Sequence, residues 1–190
     1  MLKPVTIENV TPNDAPKFVK TELVEAKRDG KLFYWERIKS HDSVHVIVYN
    51  LTTREFLFVK QVRVPVLVNN PDTDGTVIEA CAGLVDKEHT PQQIAKEEIL
   101  EELGYDVRTP DVHFIKTLKS SVGTAGTNSH LFYAEVTEAE KVSEGGGLAE
   151  EDIEVVRVSV DEVEDFIFEA TTDAVTMFLT TFYLNLLKDE

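Results

Sequence analysis

Hydrophobic and polar residues along this chain follow both the two-residue period of strands and the longer period of helices. Two β-rich runs, residues 44–50 (VHVIVYN) and 55–70 (EFLFVKQVRVPVLVNN), flank the turn-like sequence Thr52-Thr53-Arg54. We expect these runs to be neighbouring core strands. Further strands are expected at residues 76–83, 112–120, 130–136 and 153–160.

Three helices are predicted, over residues 91–103, 161–170 and 172–188, with Asp161 as the cap of the second. The third carries an apolar stripe that should cover the sheet and consists of Val175, Phe178, Leu179, Phe182 and Leu186. The predicted fold class is therefore α+β, an α-β-α sandwich with a mixed sheet between helices.

The N-terminal region is predicted to be an appended antiparallel β element. Residues 1–16 are polar and form an arm, and the extended runs of residues 18–38 flank Asp29-Gly30, a strong hairpin signal. The aromatic run 33–35 needs a partner surface, and the chain's own core and a second subunit are equally good candidates. We therefore divide the chain into residues 1–38 and a main domain at 39–190.

Composition narrows the functional classes. A chain of 190 residues with 42% hydrophobic residues is long enough for a single domain with a sizeable core. Its formal net charge of −16 argues against nucleic-acid and anionic-membrane binding, and would repel a phosphate substrate unless cations intervene. The lone Cys81 excludes an internal disulfide, and no signal peptide or transmembrane run is visible, so we expect a cytoplasmic protein.

The most informative stretch is residues 83–105, GLVDKEHTPQQIAKEEILEELGY. Thr90 suits an N-cap, Pro91 the first helical position and Gln93 the returning arm of a capping box. Gly104 is placed to end the helix in a left-handed cap.

Within this helix, Glu98, Glu101 and Glu102 share one face. Like charges at this spacing destabilise a helix by about a few tenths of a kcal/mol per pair. A hard divalent cation such as Mg²⁺ would reverse that effect, because it binds carboxylate oxygens. The alternative is a solvated acidic face on a very acidic protein.

The stretch resembles the Nudix box, a loop-helix-loop motif of pyrophosphate hydrolases. The matching residues are Gly83, Glu98, Ile99, Glu101, Glu102, Gly104 and Tyr105. His89 stands where the family has a Glu, and Glu97 stands where it has an Arg. Because those two family residues normally pair, we hypothesise that His89 contacts Glu97 with the charges exchanged.

The resemblance implies a metal site and a catalytic carboxylate. Glu98 and Glu102, with Glu101 and the Ala82 carbonyl, would hold Mg²⁺, or alternatively Mn²⁺. Glu102 is also counted among the catalytic residues. The Gly-rich acidic loop EGGGLAEED (144–152) is expected to be a flexible connector that carries the base for the attacking water. Glu151 is the first candidate for that base and Glu150 the second.

Three further residues are candidates for substrate binding. Arg63 follows a strand, and the resemblance favours a phosphate contact over a snorkelling edge arginine. Glu79 lies inside an apolar strand and needs a partner, which is either a structural hydrogen bond or the metal and its bound water. Trp35 of the aromatic run is the third. Histidines 41, 45, 113 and 130 show no metal-ligand spacing and are assigned no catalytic role.

The substrate is expected to be a nucleoside-diphosphate sugar. Residues 120–136 and the segments around the box resemble the UDP-sugar diphosphatase branch of the family, and the loop after the box lacks the proline typical of ADP-ribose-specific members. The resemblance thus implies Mg²⁺-dependent hydrolysis of UDP-glucose to UMP and glucose 1-phosphate by a homodimer joined through the N-terminal sheet. ADP-ribose or another ADP-sugar, and a catalytically retired binding module, are the alternatives.

Overall fold

The structure is a computed structural model that describes residues 1–17, 19–148 and 151–188. Residues 1–17 contain neither helix nor strand. The strands are β1 (Lys20–Arg28), β2 (Lys31–Lys39), β3 (Ser43–Asn50), β4 (Glu55–Val62), β5 (Thr76–Glu79), β6 (Cys81–Leu84), β7 (Val112–Ser120), β8 (Thr127–Val136) and β9 (Glu154–Ser159). The helices are α1 (Val64–Asn69), α2 (Pro91–Glu98), α3 (Val163–Glu169) and α4 (Ala174–Lys188). A π-helical turn at Ile99–Leu103 continues α2, and 3₁₀ turns lie at Thr109–Asp111 and Glu138–Glu140.

Strands β3 to β9 form one mixed sheet. Its central order is β5-β4-β3-β8-β7, with β6 also paired to β3 and β9 also paired to β4. Strands β3 and β8 run parallel and the other pairs are antiparallel. The predicted β3–β4 neighbours are thus confirmed.

Both faces of the sheet are covered, which makes β3 apolar on both sides. Val44, Val46 and Val48 pack with the helix that follows β6, whereas Ile47 and Tyr49 pack with α3 and α4. This is the predicted α-β-α sandwich. In the described part of the chain, no helix is long and apolar enough to span a membrane.

Two predictions about secondary structure are wrong. The run 55–70 is not one strand, because β4 stops at Val62 and residues 64–69 form α1. Pro65 in the first turn explains the change, since proline cannot donate to a strand ladder but fits a helix start. Asp161 does not cap the next helix, which begins at Val163 after Glu162 without a side-chain cap bond.

The apolar stripe predicted for α4 is also only partly right. Leu179 is fully buried, but Phe178 is 41% exposed, and Thr176, Thr180 and Tyr183 are buried in addition. Thr176 can face inward because its hydroxyl accepts a hydrogen bond from the Ala80 N–H at 2.8 Å. Satisfied polar groups therefore turn the helix away from its most apolar orientation.

The N-terminal hairpin is confirmed as a separate two-stranded sheet. Asp29 and Gly30 have φ of 50° and 75°, as a tight hairpin turn requires. Trp35 is 58% exposed, and its indole N–H donates to the Gly123 carbonyl at 3.1 Å. The hairpin therefore contacts the β7–β8 loop while much of its apolar surface stays exposed. The boundary at residue 38 and the dimerisation role remain predictions.

Candidate functional site

The helix that begins at Pro91 has the predicted ends. The Thr90 hydroxyl accepts from the Gln93 N–H at 3.3 Å, and the Gln93 side chain accepts from the Thr90 N–H at 2.9 Å. Gly104 closes the helix at φ 81°. The π-helical turn was not predicted, and it is the part that carries Glu101 and Glu102. Such turns are frequent at functional sites because they reorient a few side chains.

A cleft of about 600 Å³ lies between this helix, the end of β4, β6 and the loop before β9. It brings together Arg63, Ala82, Glu98, Glu101, Glu102 and Glu151, all of them predicted site residues. Glu79 and Trp35 do not line it. Glu150 lies outside the described residues.

Glu102 is the most deeply placed carboxylate of the cleft, with only 5% of its surface exposed. Its Oε2 accepts a hydrogen bond from the Ala82 N–H at 3.0 Å. Burial raises the pKa of Glu102 from 4.5 to about 7, although the bond to Ala82 opposes the shift. The backbone of β6 therefore holds a carboxylate that resists ionisation.

Glu98 lies beside Gly83, and a Cβ on that glycine would overlap the Glu98 carboxylate. Burial, followed by repulsion from Glu102 and Glu101, raises the pKa of Glu98 from 4.5 to about 7. A side chain at position 83 would therefore displace the Glu98 carboxylate from its place in the cleft.

The donor set fits a hard divalent cation in its chemistry, since carboxylate oxygens line one cleft. The raised pKa values of Glu98 and Glu102 reflect burial and the repulsion of neighbouring carboxylates, which a cation would offset. Among the residues that the structure describes, no three His, Cys, Asp or Glu side chains are already arranged to hold a metal.

Arg63 emerges at the end of β4, as predicted, and forms a bidentate pair with Glu79. Its Nε and one terminal nitrogen donate to the two Glu79 oxygens at 2.8 and 3.1 Å. Glu79 thus has its expected partner outside the cleft wall. Its direct contact with substrate, like that of Trp35, remains a prediction.

The loop that carries Glu151 is attached to the end of the box helix. Gly146 N–H donates to the Glu102 carbonyl at 2.9 Å, and Gly147 N–H donates to the Glu101 carbonyl at 3.0 Å. Gly145, Gly146 and Gly147 all have positive φ, between 68° and 105°. Gly146 and Gly147 thus satisfy two carbonyls at the end of the helix, and the flexibility expected of the loop stays a prediction.

The predicted contact between His89 and Glu97 is present, with Nδ1 and Oε1 2.8 Å apart. The other Glu97 oxygen is 3.2 Å from Lys87 Nζ, a partner that was not predicted. Both bases hold the carboxylate that replaces the family arginine.

Sequence reasoning missed His45, Ser43, Lys87 and Ser120 as cleft residues. His45 Nε2 lies 3.0 Å from the Ser43 hydroxyl, and burial lowers the pKa of His45. The available signal was a polar residue inside the apolar strand β3.

Comparison with known proteins agrees with this geometry. Residues 39–177 match the NUDIX domain model. The chain is 33% identical over 167 residues to the uridine diphosphate glucose pyrophosphatase of Bos taurus, covering 74% of this chain and 75% of that protein. It is 37% identical over 157 residues to the GDP-mannose pyrophosphatase of Cronobacter sakazakii, covering 80% of each. A solved ADP compounds hydrolase superposes with a TM-score of 0.72 at 18% identity, over 100% of this chain and 97% of that one.

Proposed function

The chain belongs to the Nudix family of hydrolases, and from this premise we propose that it cleaves the pyrophosphate bond of a nucleoside-diphosphate sugar. UDP-glucose is the proposed substrate, with UMP and glucose 1-phosphate as products. The observation that carries the proposal is the cleft that collects the box carboxylates, Arg63 and Glu151.

Glu98, Glu102, Glu101 and the Ala82 carbonyl would hold a divalent cation, proposed to be Mg²⁺ with Mn²⁺ as the alternative. When bound, such an ion neutralises phosphate charge and makes water more acidic. Glu102 is already oriented for this role by the Ala82 N–H. Glu98 lies beside it on the same face of the helix.

Arg63 is proposed to bind the phosphate oxygens. A guanidinium has five N–H donors in a planar fork, and the pair with Glu79 uses two of them. Three donors stay available, and the bidentate pair fixes the plane of the fork. Glu79 would therefore orient Arg63, and Glu79 and Trp35 also remain proposed substrate contacts.

Glu151 is proposed to orient or deprotonate the attacking water. Its Oε2 accepts from the Leu148 N–H at 2.8 Å, which leaves Oε1 for a water molecule. Attack at one phosphorus expels the other phosphate, so no covalent intermediate with the protein is required. Glu150, the second choice for this base, stays a proposal from sequence.

Two other nucleotide sugars are reasonable substrates. The GDP-mannose pyrophosphatase of Cronobacter sakazakii, at 37% identity, favours a GDP-sugar as the second candidate. ADP-ribose is the third, because the box recognises only the shared pyrophosphate. A retired binding module is less consistent with the cleft, since a module without metal has no reason to bury repelling carboxylates.

The test is product release from UDP-glucose, GDP-mannose and ADP-ribose, measured side by side with Mg²⁺ and with Glu102→Gln as the blank. We expect UDP-glucose to give the highest kcat/KM. A higher value for another substrate would overturn the UDP-sugar assignment and keep the chemistry. Cleavage of none of the three would overturn the hydrolase proposal.

The N-terminal hairpin is proposed to join two subunits. Leu23, Leu32 and Tyr34 share one face of β1–β2 and are 67%, 51% and 56% exposed. A lone hairpin with this much apolar surface is marginally stable in water, so a second copy is the proposed cover. We expect light scattering to give a dimer mass that the combined Leu23→Glu and Leu32→Glu changes reduce to a monomer. A monomeric parent protein would contradict the proposal.

A further inference from the structure

Glu97 has two basic partners, one for each of its oxygens. Lys87 Nζ lies 3.2 Å from Oε2, and His89 Nδ1 lies 2.8 Å from Oε1. The Glu97 side chain is only 29% exposed, so a carboxylate left there without a partner would be unfavourable. One of the two bases can leave, however, while the other keeps the carboxylate paired.

Of these three side chains, only Lys87 lines the cleft. The carboxylates on the cleft wall are those of Asp86, Glu98, Glu101, Glu102 and Glu151, and the lysine and arginine cations are Lys87 and Arg63. Arg63 is already engaged with Glu79. Of the two cations that a doubly charged diphosphate would meet in this acidic cleft, Lys87 is therefore the one that can freely exchange its carboxylate partner for phosphate oxygens.

The chemistry of lysine suits that exchange. Its ammonium is a point charge on a flexible four-carbon stem, whereas the bidentate fork of Arg63 is fixed by its geometry. The Lys87 side chain is 48% exposed, so it can move without disturbing the core. Glu98 and Glu101 lie close enough to raise the pKa of Lys87, after the larger effect of its bond to Glu97.

We propose that Lys87 is a second phosphate-binding residue of the cleft, and that the His89–Glu97 pair makes it releasable. This inference rests on the proposed function and deepens it. In the free protein Lys87 binds Glu97, and when a diphosphate enters, the ammonium turns to its oxygens while His89 keeps Glu97 paired. His89 and Glu97, the two residues at which this box differs from that of the family, thereby have a role in substrate binding.

The experiment compares four single variants for KM on UDP-glucose and for the Kd of its non-hydrolysable α,β-methylene analogue, measured by calorimetry. We expect Lys87→Gln to raise both constants about tenfold. The variant loses one charge-assisted contact with the diphosphate, and this loss is partly offset because no Lys87–Glu97 pair has to be broken on binding. His89→Gln should raise them about two- to fivefold, because the departure of Lys87 then leaves Glu97 unpaired. Glu97→Gln should leave them unchanged or lower, because Lys87 is then already free.

Lys96→Gln is the matched control. Lys96 lies on the same helix and pairs with Asp106 at 2.8 Å, away from the cleft, so its loss should change neither constant. If Lys87 only fastens the loop to the helix, Lys87→Gln and Glu97→Gln will change the constants alike and lower the Tm alike, which overturns the inference. If the Lys87→Gln variant binds the analogue as tightly as the parent protein does, the inference is also overturned, and the proposed function still stands. If the parent neither binds the analogue nor cleaves UDP-glucose, GDP-mannose or ADP-ribose, both fail together.

Discussion

Replacing Glu102 with Gln is expected to lower kcat/KM by about a thousandfold, because Glu102 is the most buried of the proposed metal ligands. The substitution keeps the size of the side chain. It also keeps an oxygen that can accept from the Ala82 N–H, which donates to Glu102 at 3.0 Å in the parent protein. Folding should therefore survive. The loss should fall mainly on kcat, since the variant keeps Arg63 and Lys87, the proposed phosphate-binding residues.

The same variant should be at least as stable as the parent when divalent cations are removed. The buried Glu102 carboxylate has a pKa raised from 4.5 to about 7, so its ionised form opposes folding. A neutral amide removes that opposition at about pH 8. A gain or no change in Tm combined with a loss of activity is the mark of a functional carboxylate rather than a structural one.

The pH dependence of the parent protein follows from the same pKa values. For Glu98 and Glu102 the folded value of about 7 exceeds the usual 4.5, so their protons stabilise the fold below about pH 4.5. That contribution is lost as the pH rises through about 7. A cation that competes with these protons should therefore raise the Tm more at about pH 8 than at about pH 5.5.

Differential scanning fluorimetry with Mg²⁺, against sodium chloride at matched ionic strength, checks both expectations. Glu164→Gln on the exposed face of α3 is the control glutamate and should behave like the parent. A full Mg²⁺ shift in Glu102→Gln would contradict the assignment of Glu102 as a metal ligand. An equal shift at both pH values would contradict the proton competition.

Gly145→Ala is expected to lower the free energy of unfolding by roughly 3 kcal/mol or more, which corresponds to a fall in Tm of about 10 °C. Gly145 has φ of 68°, and a Cβ there would overlap the carbonyl of Glu102. The position of a Cβ is fixed by its own backbone and the Glu102 carbonyl is a backbone group, so no side-chain rotation can relieve the contact. The loop must then move away from the end of the box helix.

Activity should fall with stability in this variant, even well below its Tm. The bonds from Gly146 and Gly147 to the carbonyls of Glu102 and Glu101 connect the loop of Glu151 to the helix. If the loop moves, Glu151 and the box carboxylates lose their relative positions. We expect a fall in kcat of about a hundredfold, since small displacements of catalytic groups have effects of this size.

Gly30→Ala separates backbone strain from the contact with the helix. Gly30 has φ of 75° in the hairpin turn, and nothing lies within 4 Å of a Cβ placed on it. It should lose only about 1 kcal/mol, the strain of alanine at positive φ, with normal activity. Equal losses in the two variants would show that the Gly145 contact contributes nothing beyond strain.

The sequence by itself determined the box helix, because its signals act over a few residues. Thr90 and Gln93 cap it within one turn, Gly104 ends it, and Ala95, Ile99 and Leu103 repeat at the helical period and are buried. The Asp29-Gly30 hairpin and the pairing of β3 with β4 followed from equally local patterns.

The tertiary structure alone decided the polar pairs that join different strands and layers. Arg63 pairs with Glu79 in a neighbouring strand, and the Thr176 hydroxyl meets the Ala80 N–H from another layer. Local periodicity carries no information about such pairs, so the predicted face of α4 included Leu179 but not the buried Thr176, Thr180 and Tyr183.

The site shows the same division between local and long-range information. Its carboxylates could be named from the box, but the attachment of Gly146 to the Glu102 carbonyl depends on how the chain returns after β8. Lys87 likewise enters the cleft only through the path of the box loop. Residue types and short spacings determine chemistry and local structure, whereas burial and ion pairing depend on segments that only folding brings together.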